Sequence, residues 1–149
     1  MSSPITLVVR RTIQAPAERV FDAWTRPEHL VKWWGPRPVT CIEADVDLRV
    51  GGSYRIANLF PDGSVLWISG EFEVVEAPRR LVYTWRTEQK SETEAEWSRV
   101  SVRFETQANS AATEVIVLHE RIDSEATRTG HERGWLGCLD NLARFFDAE

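Results

Sequence analysis

FDAWTRPEHLVKWWGP, residues 21–36, places three tryptophans within eleven positions and ends on a Gly-Pro stop. Val20, Phe21 and Trp24 recur at helical spacing, Pro27 interrupts them, and a second run from Glu28 to Trp34 stops at Gly35-Pro36. The pattern predicts two short helices with a break between them. Adjacent residues on a helix point about 100° apart, so Trp33 and Trp34 can share one apolar stripe only at its edges. One of these rings is expected to pack inward and the other to sit at a rim; the sequence does not say which.

Upstream, ITLVVRRTI (residues 5–13) alternates Leu7, Val9, Arg11 and Ile13 on one face and reads as a first strand. Downstream, TCIEADVDLRV and SYRIANL are strand-like and joined through Gly51-Gly52. Asp62-Gly63 turns into VLWISGEFEVVE, and Ala77-Pro78 turns into RLVYTWR. Residues 87–96 are polar and without rhythm, a solvated hairpin loop leading to WSRVSVRFET; TEVIVLHE follows a turn at Asn109-Ser110. From Ser124 onward Trp135, Leu139, Leu142 and Phe146 form a helical stripe, with Asp123 or Ser124 as its cap. A helix of about 20 residues is roughly 30 Å long and must lie across a sheet of this size.

The whole has 149 residues, enough for one domain with one core. Seven tryptophans are far more than such a chain usually carries. A net charge of -5, with basic residues in isolated pairs, gives nucleic acid no footprint. No apolar run approaches the roughly 18 residues of a membrane span, and Met-Ser-Ser-Pro-Ile-Thr is not a charged leader, so a cytoplasmic protein is expected. Cys41 and Cys138 lack metal-type spacing and read as buried reduced thiols.

The order of strand, two short helices, about six further strands and a long final helix resembles the START-like (SRPBCC) helix-grip superfamily. Ala15-Pro16, Val20-Phe21-x-Ala23-Trp24-Thr25, Pro27-Glu28 and Trp33-Trp34-Gly35-Pro36 are similar to the branch related to the activator of the heat-shock-protein-90 ATPase. So are Asp47-x-Arg49-x-Gly51-Gly52, Pro78-x-Arg80-Leu81, His119-Glu120 and Gly134-Trp135. The resemblance implies an α+β fold across residues 1–149: a curved antiparallel sheet of six or seven strands wrapped around the C-terminal helix, with a cavity between them. It also implies a single ligand-binding domain.

Within that frame, His131 extends the helical stripe back by one turn, and Val115, Val117 and His119 share a strand face. Two histidines near one cavity could be hydrogen-bonded core residues or could act on a ligand; without a third ligand they do not make a zinc site. Arg11 could meet an anionic ligand group or an internal carboxylate. Asp47 and Arg49 are spaced to fix the turn that follows. Trp67 alternates against Leu66, Ile68 and Phe72, so it faces solvent, marks a bulge or joins a homodimer interface.

The expected cavity lining is Arg11, Trp24, Trp33, Trp34, Tyr54, Phe72 and Tyr83 together with Trp85, Phe104, Val117, His119, His131, Trp135 and Leu139. Its expected occupant is a small hydrophobic molecule, lipid-like or aromatic, with no cofactor and no metal, in a stress-related role. The branch name carries a second reading, co-regulation of a chaperone ATPase, although the further N-terminal domain of the eukaryotic activators has no counterpart in this sequence. A third is a cyclase or hydrolase using His119, His131, Tyr83 or Arg11, for which no nucleophile, metal or paired-acid motif is present.

Overall fold

Strand alternation and turn chemistry fold the described residues into seven antiparallel strands and three helices. The computed structural model describes residues 5–88, 97–107 and 111–147. The sequence reading of residues 89–96 and of Asn109-Ser110 lies outside them. In chain order the elements are β1 (Ile5–Ile13), α1 (Ala17–Thr25), α2 (Pro27–Trp33), β2 (Thr40–Val46), β3 (Ser53–Leu59), β4 (Val65–Glu76), β5 (Arg80–Thr87), β6 (Ser98–Thr106), β7 (Thr113–Ile122) and α3 (Glu125–Asp147). The strands form one sheet in the order β1-β7-β6-β5-β4-β3-β2. The curved sheet and the long helix across it are the helix-grip arrangement the sequence led us to expect.

Register aligns the apolar face. Leu7 and Val100 both pair with His119, Val100 pairs with Tyr83, and Tyr83 with Phe72, so one row of buried residues crosses five strands. The strand expected over residues 40–50 stops at Val46, because Asp47 accepts from Arg49 Nε (3.0 Å) and the backbone turns there. Trp67 lies on the outer face with the Arg55 guanidinium 3.7 Å above its ring; the β4–β5 irregularity is elsewhere, between Phe72 and Val74.

The helix break forms as read: Pro27 occupies the first turn of α2, and Arg26 N–H closes α1 on the Asp22 carbonyl. Gly35 then takes φ 108°, and a side chain there would stand 2.9 Å from the Val39 carbonyl. The Ser124 hydroxyl caps α3, accepting from Thr127 N–H at 3.1 Å. Trp135, Cys138, Leu139, Leu142 and Phe146 bury the inner stripe of α3. Gly137 lets the helix touch the segment after α2, since an added Cβ would lie 2.6 Å from Pro36 Cβ.

A polar knot fixes α3 on the sheet. Trp135 Nε1–H donates to His119 Nδ1 (3.1 Å), and His119 Nε2 lies 2.7 Å from Ser98 Oγ. An indole nitrogen only donates, so Nδ1 bears a lone pair and the neutral ring donates from Nε2 to Ser98. Burial, and then the neighbouring His131, push the His119 pKa down to about 3. Protonation would also forfeit the Trp135 bond.

The unfolded chain takes up the His119 proton near pH 6.5 and the native state only near 3, so stability rises with pH across that window and is lost as pH falls through it. Denaturant unfolding at pH 7 and 4.5 is expected to show a fall larger by about 2–3 kcal/mol in the native sequence than in His119→Gln; equal falls would refute the neutral assignment. Gly130→Ala, where an added Cβ meets nothing within 4 Å, is expected to stabilise by up to about 1 kcal/mol, and Gly137→Ala to destabilise.

Candidate functional site

The interior is divided. Five of the seven tryptophans close on one another: Trp24 is stacked with Trp135 at 6.0 Å and lies 5.1 Å from Trp33, while Trp34 is 5.5 Å from Trp135 and 6.2 Å from Trp85. Trp33 donates to the Ala23 carbonyl (2.8 Å) and Trp24 to the Tyr83 hydroxyl (3.2 Å). Beside this cluster, under the first half of α3, is an apolar pocket of about 210 Å³. Its inner wall is Trp34, Ile68, Trp135, Cys138 and Asn58, all buried. Its mouth is the half-exposed set Pro36, Val39, Phe60, Leu66 and His131.

Two features single this pocket out. Gly130 and Gly134 lie one turn apart on α3 and face it, and a Cβ added to either meets nothing within 4 Å. Asn58 Oδ1 and Trp85 Nε1, on two residues of its wall, are buried without a hydrogen-bond partner among the described residues. Larger depressions, of about 510 and 570 Å³, are edged by arginine and glutamate side chains such as Arg55 and Glu71, or Arg79 and Glu76, and have no comparable apolar wall.

Of the residues expected from sequence, Trp34, Trp85, His131 and Trp135 line the pocket. Trp34 is therefore the ring that borders it, while Trp33 is sealed in the core. Trp24, Tyr54, Phe72, Tyr83, Phe104, Val117, His119 and Leu139 are buried in the packed core behind it. Arg11 holds the inward register opposite Val115, but β1 is an edge strand and its guanidinium reaches Asp140 on α3. The partner is a carboxylate of the chain itself, but both members of the pair are more than 40% exposed, so it is a surface ion pair worth about 0–1 kcal/mol.

Sequence reasoning missed Asn58, Phe60, Leu66, Gly130 and Cys138. The signal for Asn58 was present: it continues the face of Tyr54 and Ile56, a polar residue on an apolar row. Phe60 and Leu66 flank a hairpin turn, where alternation stops carrying information.

Chemically the pocket offers mainly apolar surface, and most of the titratable groups around it are buried. Both lone-pair and proton of His119 are engaged, with Trp135 and Ser98. Its ring centroid is 4.3 Å from that of His131. Burial pushes the Cys138 thiol up to about 12 and Cys41 to about 11, so neither is a thiolate near neutral pH. Burial likewise raises the Tyr83 and Tyr54 phenols. Among the described residues no group of three or more metal-ligating side chains is gathered, and no helix is long and apolar enough to cross a membrane.

A search of curated proteins returns no match. Solved structures do match over nearly the full length. A protein from Rhizobium leguminosarum is 26% identical, with a TM-score of 0.79 over 98% of this chain and 96% of that one. One from Chromobacterium violaceum is 25% identical, with a TM-score of 0.81 over 94% and 96%. The AHSA1 protein of Silicibacter pomeroyi, at 21% identity, shares the fold with a TM-score of 0.83 over 97% and 99%. The family model described as activator of Hsp90 ATPase homolog 1-like protein matches residues 14–147. With the START-like sheet, the grip of α3 and that match in agreement, the chain belongs to the activator of Hsp90 ATPase homolog 1-like family.

Proposed function

We propose that this protein binds a small, mainly apolar aromatic molecule in the pocket beneath the first half of α3. The observation that carries the reading is the pocket itself, about 210 Å³ bounded by aromatic and aliphatic side chains. A cavity of about 150 Å³ is known to hold benzene, and drug-sized ligands need roughly 300–1,000 Å³, so one ring with a short substituent is the matching size.

Gly130 and Gly134 support it. A glycine inside a helix costs about 1 kcal/mol relative to alanine, and these two leave open space where a side chain would otherwise pack. Asn58 Oδ1 adds selectivity: a buried acceptor with no partner among the described residues favours a ligand with one donor over a pure hydrocarbon. The family name also ties the fold to a chaperone ATPase, a reading that draws on the name alone.

Titration with toluene and p-cresol, followed by tryptophan fluorescence, tests the proposal. Both are expected to perturb the emission saturably, p-cresol at lower concentration, because Trp34, Trp85 and Trp135 line the pocket. Gly134→Leu fills the space, and is expected to abolish both responses while raising stability by roughly 0.5–1 kcal/mol. Unchanged responses in that variant would sink the pocket as the binding site.

A further inference from the structure

We infer that the ligand carries a carboxylate, held in a second, smaller cavity that shares a wall with the apolar pocket; this rests on the pocket being the binding site. The smaller cavity has a volume of about 50 Å³ and shares Trp85, Thr87 and His131 with its neighbour. A cavity that holds benzene measures about 150 Å³, so this smaller space suits a polar head group and excludes a ring. Trp85, Thr87 and His131 border both spaces, so an amphipathic molecule with its ring under α3 would carry its head past these three side chains.

The walls that the small cavity does not share include three charged side chains beside Trp97, Ser98, Ile122 and Thr127. Arg86 and Arg121 face it against a single carboxylate, Asp123, in a chain whose net charge is -5. The local sign is therefore reversed relative to the molecule as a whole. Trp85, which borders both spaces, carries a buried indole N–H with no acceptor among the described residues. Only an acceptor can satisfy it, and a carboxylate is an acceptor at both oxygens.

Arg121 is held for this position. Among the described residues it is the one non-glycine with positive φ, 65°, a conformation that strains an ordinary side chain. The kink breaks the alternation of β7, turning Ile122 into the core and leaving Arg121 exposed at the rim. There its guanidinium lies 4.1 Å from the Trp97 ring, and its Nε donates to the Trp97 carbonyl at 3.4 Å. Face and Nε are thereby engaged with Trp97, which fixes the plane of a group whose Nη edge is suited to a carboxylate.

Isothermal titration of the full chain with hydrocinnamate and with hydrocinnamyl alcohol, at low salt and pH 7.5, separates the possibilities. The acid is expected to bind at least about tenfold tighter than the alcohol, the increment of one charge-assisted hydrogen bond. Arg121→Gly accepts φ 65° without strain, and is expected to keep the fold and to reduce the acid-to-alcohol ratio to within about threefold. Trp85→Phe keeps the ring but removes the donor, and should lower the same ratio severalfold. Equal binding of acid and alcohol by the native chain overturns this inference and leaves the pocket reading intact. Binding of neither overturns both, and an acid preference unchanged in both variants overturns the assignment to Arg121 and Trp85.

Discussion

One side chain, Trp135, fixes the relation between helix and sheet. Its ring stacks on Trp24 of α1, meets Trp34 and Trp85 edge-on or tilted, and its nitrogen donates to His119 of β7. Apolar contact alone would let α3 slide or rotate along its stripe, because hydrophobic attraction is non-directional. A buried donor aimed at a buried lone pair removes that freedom, since any other seat leaves two polar groups unsatisfied. Ser98 completes the arrangement from the adjacent strand.

The tryptophan surplus has two uses. Five rings supply a rigid block of contact area on which α1, α2, α3 and β5 converge, with offset and edge geometries that indole favours. A rigid block next to a helix with missing side chains leaves space that neighbouring residues cannot collapse into. The two remaining rings, Trp67 and Trp97, lie under arginines, at 3.7 and 4.1 Å. Those pairs cover ring surface that would otherwise face water.

Most of the architecture could be read from the sequence because its signals are local. Proline and glycine positions marked the helix break, the Asp62-Gly63 hairpin and the end of α2, and Leu139, Leu142 and Phe146 marked the buried stripe. The site was less legible because it depends on which strands become neighbours. Alternation assigned Arg11 a face correctly but could not say that β1 would be an edge strand, and that placement is what lets Arg11 reach Asp140. Aromatic residues likewise read as cavity lining whether they border a space or fill one; Trp34 and Trp33 differ only in tertiary position. Arg121 left no trace in sequence, since its geometry follows from one backbone angle and from Trp97, the residue just before the neighbouring strand.

The two halves of α3 are held unequally. Its second half is tied down by Leu139, Leu142 and Phe146, by the Asn141 amide on the Gly35 carbonyl, and by Asp140 on Arg11. Its first half contains Gly130 and Gly134, each weakening the helix by about 1 kcal/mol. Local opening draws on the least stable segment of a fold, so the turns above the pocket can fray and re-form while everything beyond Trp135 stays in place. Opening of those turns costs a few hydrogen bonds near one helix end, a smaller and separate quantity from the stability of the domain.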